Sequence, residues 1–195
     1  MQIPWQDITY LSRGNERQRR AYRTLETLQV LDVLRDYTPV LVGTLPIAID
    51  VAGSDLDIVC EVHDLDVFEA LVRGAFGCRE GFRLKRKQVN DLPSIVANFE
   101  GDLPVEIFGQ PRPVVEQNAY RHMVVEARLL AIGGETARGE IRHLKRAGLK
   151  TEPAFAHYFG IPGDPFEALL ALWALDEQAL RATLASERAK EHSLP

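Results

Sequence analysis

The hydrophobic positions change period along the chain. From Glu16 to Tyr37, Ala21, Tyr22, Leu25, Leu28, Leu31 and Leu34 recur at three- and four-residue intervals behind Asn15, an N-cap residue. The spacing predicts a helical segment, bent or divided near Val30. An unbroken apolar run, Pro39 to Val42, then ends in Gly43 and predicts a buried strand. The stretch from Thr44 to Gly53 reads as irregular, and Ser54 to Val62 as a second strand. Asp64 caps a predicted helix through Val67, Phe68, Leu71 and Val72 that closes near Gly74.

Three more strand-sized runs follow: Gly81 to Val89, Ser94 to Glu100, and Leu103 to Phe108. The turn residues Asn90, Asp91, Gly101 and Asp102 separate them, so an antiparallel meander is expected. Beyond Pro113 the pattern is helical. Helices are predicted over 115–132, closed by Gly133 and Gly134, and over 135–147, closed by Gly148. Another begins at the capping sequence Asp164-Pro-Phe-Glu167 and runs through Leu169, Leu170, Leu172 and Trp173, and a last one starts near Asp176. The expected class is α+β: a mixed core over 16–112 with a helical C-terminal region over 113–195 packed on it.

Composition narrows the class. With 195 residues, 46% of them hydrophobic, the chain can bury a sizeable core, which excludes disordered and collagen-like classes. No stretch is long and apolar enough to span a membrane, and Met1 to Asp7 lacks the features of a secretory signal. Two cysteines, Cys60 and Cys78, make no disulfide framework, so a cytoplasmic location is expected. Cys60 alternates onto the core face of its strand. The net charge of -5 gives no support to a globally basic nucleic-acid surface but leaves room for a local patch. His63, His143, His157 and His192 lack zinc-ligand spacing, and no Walker or dinucleotide-binding glycine motif occurs.

The candidate chemistry is acidic. On a strand, Asp55 and Asp57 share a face while Leu56 and Ile58 point into the core. Two carboxylates so placed suit a hard divalent cation, Mg²⁺ or Mn²⁺. Gly43 and Thr44 end the preceding apolar strand, and Gly53 and Ser54 lead directly into the pair. Glu106 stands alone between Val105 and Ile107, and a charge in such a frame is seldom buried without a partner. If its strand lies beside that of Asp57, Glu106 is a third ligand.

These residues resemble the signature of the nucleotidyltransferase superfamily of the DNA polymerase β type. That signature is an apolar strand ending in Gly-Gly or Gly-Ser, then about ten residues, then Asp-x-Asp or Asp-x-Glu on the next strand, with a third acid on a later strand. More narrowly, Gly43-Thr-Leu-Pro-Ile-Ala-Ile-Asp50, Gly53-Ser-Asp-Leu-Asp-Ile58 and Gln117-Asn-Ala-Tyr-Arg-His-Met123 resemble a small uncharacterised bacterial family of nucleotidyltransferase-like proteins. The narrow resemblance covers most of the chain from the first helix to about Trp173.

The resemblance implies that Asp55, Asp57 and Glu106 bind Mg²⁺ or Mn²⁺, with Gly43, Thr44 and Ser54 at the phosphates of a nucleoside triphosphate. A nucleoside monophosphate would pass to a hydroxyl of an unidentified acceptor, with release of pyrophosphate. Two departures stand out: Thr44 replaces the usual serine, and Leu45 to Ile49 is apolar where many relatives carry a polar or basic residue. An inert binding or regulatory module of the same fold and a metal-dependent phosphohydrolase are the alternatives.

Other polar groups carry two readings each. Arg17, Arg19, Arg20 and Arg23 form a solvated helix face or an anion site. Arg83, Lys85 and Lys87 share one strand face, as a phosphate or RNA contact or as charges protecting a sheet edge. Asn118, Arg121 and His122 share a helix face and either position a substrate or fasten the helix to the core. Asp50 ties down its loop or adds charge to the site.

Overall fold

The structure is a computed structural model that describes residues 5–191. His192 therefore lies outside the described residues. The chain divides into two compact units: 1–46 with 53–120, and 47–52 with 121–195.

The first unit holds a five-stranded mixed sheet. Its strands are β1 (Val40–Val42), β2 (Leu56–Glu61), β3 (Arg83–Val89), β4 (Leu92–Phe99) and β5 (Val105–Gln110). They lie in the order β1-β2-β5-β4-β3. The expected antiparallel meander is present, since β3 pairs with β4 and β4 with β5. Asn90 and Asp91 turn the first hairpin with φ of 51° and 61°, the conformation a two-residue loop between twisted strands requires. β5 then runs parallel to β2. This long-range pairing depends on no local turn and positions the acids.

One face of the sheet is the core. Row by row, Leu41, Ile58, Ile107 and Ala97 face the same side and are buried. They pack with residues of α1 (Glu16–Leu28), α2 (Val30–Val33) and α3 (Leu65–Phe76), including Leu25, Val30, Phe68 and Val72. Cys60 is fully buried on this face, as the alternation predicts.

The expected helix over 16–37 is divided at Gln29, whose φ of 51° ends α1 and starts α2. Asn15 accepts from Gln18 N, and the Gln18 side chain accepts from Asn15 N, closing a capping box. Asp64 caps α3 by accepting from Asp66 N and Val67 N.

The second unit is mainly helical. It contains most of α4 (Asn118–Arg146), with α5 (Thr151–Phe159), α6 (Pro165–Ala171) and α7 (Glu177–Glu191). The break expected at Gly133 and Gly134 is a kink within α4, where Gly134 has φ 66° and ψ -158°, a conformation open to glycine alone. Helix α5 was not anticipated from the sequence. Its Pro153 sits in the first turn, where the missing N–H has no helical partner to lose. Met123, Leu129, Ile141, Phe155, Phe159 and Leu169 are all buried in this unit. Among the described residues, no helix is long and apolar enough to cross a membrane.

Candidate functional site

The face of the sheet opposite the core carries a polar row. Val42 pairs with Asp57, Asp57 with Glu106, and Glu106 with Asn98, which in turn pairs with Arg83. Directly paired residues on neighbouring strands project from the same face. Asp57 and Glu106, 49 positions apart in the chain, thus become immediate neighbours. Both are half-buried. Asn98 Nδ2 donates to Glu106 Oε2 at 2.8 Å and fixes one of its oxygens. Asn98 was missed in the sequence, although it interrupts the apolar run Ile95 to Phe99 much as Glu106 interrupts its own.

Asp55 lies one residue before β2 rather than within it, half-buried and two positions from Asp57. The strand begins where Leu56 N donates to Pro104 O at 2.8 Å.

Gly43 follows β1 directly, with φ of +80°. A Cβ placed there would stand 2.5 Å from Asp57 Oδ2, so the backbone and the carboxylate touch only because the residue is glycine. Thr44 opens the next turn and is half-buried. That turn is held by α1: Gln18 Nε2 donates to Leu45 O and Pro46 O, each at 3.1 Å. Arg17 Nη2 donates to Ser54 O at 3.2 Å. The first turn of α1 thus fastens both the segment leaving β1 and the segment entering β2.

These contacts correct the reading of a solvated arginine face. Arg17 is half-buried and bonded to the loop. Arg20 makes a two-pronged ion pair with Asp102 through Nε and Nη2, both at 2.7 Å, tying α1 to the β4–β5 turn. Arg19 and Arg23 are exposed.

Lys85 is exposed on β3 and, with Arg83 and Lys87, lies on the acidic face of the sheet. Asn118 is half-buried at the start of α4. Just before it, Gln117 Nε2 donates to Cys60 O at 2.9 Å and fastens this segment to β2. Arg121 lies over the Trp173 ring, 5.5 Å from its centroid, within the helical unit. His122 is buried, with Nε2 3.0 Å from Phe166 O and Nδ1 3.4 Å from Glu152 Oε1. Asp50 is buried in the helical unit.

A divalent cation is the group this acidic row invites. Among the described residues no set of three or more His, Cys, Asp or Glu side chains is arranged to hold a metal ion. The donor chemistry still fits Mg²⁺ or Mn²⁺. Mg²⁺ keeps several waters and takes one or two carboxylates plus substrate phosphates rather than a complete protein cage. The paired carboxylates of Asp57 and Glu106, with the glycine cradle against Asp57, supply that partial set.

The fold is that of nucleotidyltransferases. It is similar to the structure described as Cid1 with RNA terminal uridylyl transferase activity, at TM-score 0.51 and 16% identity over 74% of this chain and 47% of that one. A Cid1 poly(U) polymerase structure with MgGTP bound gives 0.51 and 16% over 73% and 48%. A GLD-2/RNP-8 complex structure gives 0.52 and 14% over 88% and 73%. The chain spans about half the length of the Cid1 structures. No curated protein sequence matches it. The chain belongs to the family described as Domain of unknown function (DUF4269), which matches residues 23–172.

Proposed function

We propose that this protein is a divalent-metal-dependent nucleotidyltransferase that moves a nucleoside monophosphate from a nucleoside triphosphate to a hydroxyl of an acceptor. The observation that carries this reading is the pairing of Asp57 with Glu106 beside a glycine that abuts the Asp57 carboxylate. Asp57 and Glu106 would hold Mg²⁺ or Mn²⁺ together with substrate phosphates, and Asp55 would turn in as a third ligand when the ion binds. Bound there, the ion would neutralise charge on the phosphates and on the departing pyrophosphate.

The chain's own groups do the rest. The backbone at Gly43 leaves room for a phosphate to approach closely. The hydroxyls of Thr44 and Ser54 donate to phosphate oxygens. Asn98 holds one oxygen of Glu106, and the carboxylate is available to take the proton of the acceptor hydroxyl. The acceptor oxygen then bonds to the α-phosphorus as the bond to the bridging oxygen breaks and pyrophosphate leaves.

An inert binding module of the same fold is favoured by one observation, the lack of a three-acid group among the described residues. A thermal-shift panel of the four nucleoside triphosphates with Mg²⁺ or Mn²⁺ separates the readings, followed by α-labelled nucleotide in cell extract. Metal-dependent stabilisation that is lost in Asp57→Asn, and label on a new acceptor, are expected. Free labelled monophosphate without a labelled acceptor would indicate a phosphohydrolase. No shift with any nucleotide would leave the inert module.

A further inference from the structure

The two faces of β3 treat their cations differently. Arg86, facing the core side, is neutralised twice: Nη2 meets Asp66 Oδ1 at 2.6 Å and Nε meets Glu69 Oε2 at 2.7 Å. Arg83, Lys85 and Lys87 point to the acidic face and are exposed. Among the described residues, none of these three has a carboxylate partner, although acids outnumber basic residues 28 to 23 in the whole chain. Three uncompensated positive charges on one strand of a net-negative protein form a local patch of opposite sign.

Position and spacing say what the patch fits. Arg83 ends the row Asp57–Glu106–Asn98–Arg83, so the cations begin level with the acids. Alternate residues on a strand repeat every ~6.7 Å, giving a straight file of charges. Three strand spacings put Arg83 ~14 Å from Asp57, and Lys87 stands ~13 Å further along the strand. One triphosphate anchored at the acids cannot reach both ends of this file. An extended polyanion can. The same face also carries Phe108, half-buried, with Lys87 Nζ 5.9 Å from its ring centroid. Val59, Val96 and Ser94 on this face are buried, so the accessible part is the edge strand itself, where an exposed cationic file beside a half-buried aromatic ring is a combination that binds single strands, by phosphate contact and base stacking.

We infer that Arg83, Lys85 and Lys87, with Phe108, form a docking track for the sugar–phosphate backbone of a single-stranded nucleic acid, whose end is then the acceptor at the acidic row. The acceptor assignment rests on the transferase reading above; binding along the track does not. β3 is the edge of the sheet, so the track is open on its outer side.

The test is fluorescence anisotropy with a labelled 15-nucleotide RNA and DNA of mixed sequence, on the full chain. Wild type should bind, and affinity should fall about 15-fold between 50 and 200 mM salt, from a slope of roughly -2 for three phosphate contacts. The variant Arg83→Ala/Lys85→Ala/Lys87→Ala should lose at least tenfold in affinity and most of the salt slope. Phe108→Leu should weaken binding while keeping the slope. Circular dichroism checks that the variants fold.

Absence of binding at 50 mM salt, or equal affinity in the triple variant, would overturn the track. So would displacement of the oligonucleotide by micromolar ATP, which would assign these cations to the triphosphate. Equal binding of polyglutamate would assign them to an acidic protein and also overturn it. Metal-dependent nucleotide binding by wild type is read separately by thermal shift. Its failure sinks the transferase reading while oligonucleotide binding is still scored by itself.

Discussion

Asp57 and Glu106 are directly paired across the parallel contact between β2 and β5, with Gly43 packed against the Asp57 carboxylate on one side and Asn98 bonded to Glu106 on the other. Two like charges set side by side on one sheet face are unfavourable by themselves. A divalent cation would turn that repulsion into a binding site. Each neighbour therefore makes a separate prediction.

Gly43→Ala should cost about 1–2 kcal/mol for placing a Cβ in left-handed backbone. The new methyl would also push the Asp57 carboxylate, which can rotate away. Nucleotide-and-Mn²⁺ stabilisation should therefore fall far more than urea stability. A variant that loses stability but keeps full Mn²⁺-dependent stabilisation would dissociate Gly43 from the site.

Asn98→Asp removes the donor to Glu106 and places a negative charge opposite it. The added charge repels the Glu106 carboxylate and should turn it out of the row. Mn²⁺ affinity at pH 7 should therefore change about fivefold or more in Asn98→Asp and less in Asn98→Ala, which adds no charge. Wild-type Mn²⁺ affinity in both variants would count against Glu106 as a ligand.

Gln18→Ala should destabilise the protein by about 1–3 kcal/mol, because Leu45 O and Pro46 O lose their donor and the capping box opens. Hydrogen exchange should accelerate most in residues 43–46. Uniform acceleration along the chain would mean that Gln18 contributes only to global stability.

In the helical unit, Glu126 is buried. Burial pushes its carboxyl up to about 8 from an ordinary 4.5, Glu152 adds to the rise, and Lys145 opposes it. The folded state therefore holds a proton that the unfolded chain releases above pH 4.5. This contribution to stability is complete below about pH 4.5 and is lost as pH rises through about 8. Glu126→Gln, which needs no proton, should be more stable than wild type near pH 8, with a gain on the order of 1.4 kcal/mol for each pH unit of that window crossed. Urea denaturation at pH 5, 6, 7 and 8 measures the difference. A difference between the two proteins that stays constant with pH would contradict the buried proton.

Much of this arrangement was legible in order along the chain. A bend or division near Val30 was expected, and the left-handed backbone of Gln29 provides it. The meander was visible in its turn residues, whose side chains and backbone tolerate the required angles. Alternation placed Asp57 away from the core and Cys60 within it. Helix α5 was not among the expected elements, and its Pro153 sits in the first turn, which proline tolerates.

The sequence by itself determined which residues are apolar on which period, where the chain must turn, and that Asp57 and Glu106 interrupt apolar strands where a charge needs a partner, with Asp55 two positions before Asp57. These are local properties, set by backbone geometry within a few residues. Tertiary structure alone decided that β5 lies parallel beside β2, bringing Glu106 to Asp57, and that Asn98 joins their row. It also decided that Arg17 and Gln18 brace the loops around the site rather than face water. Each is a contact between segments far apart in sequence, selected by burying the other face of the sheet against α1, α2 and α3. No local pattern encodes that choice, because its free energy belongs to the packed core as a whole.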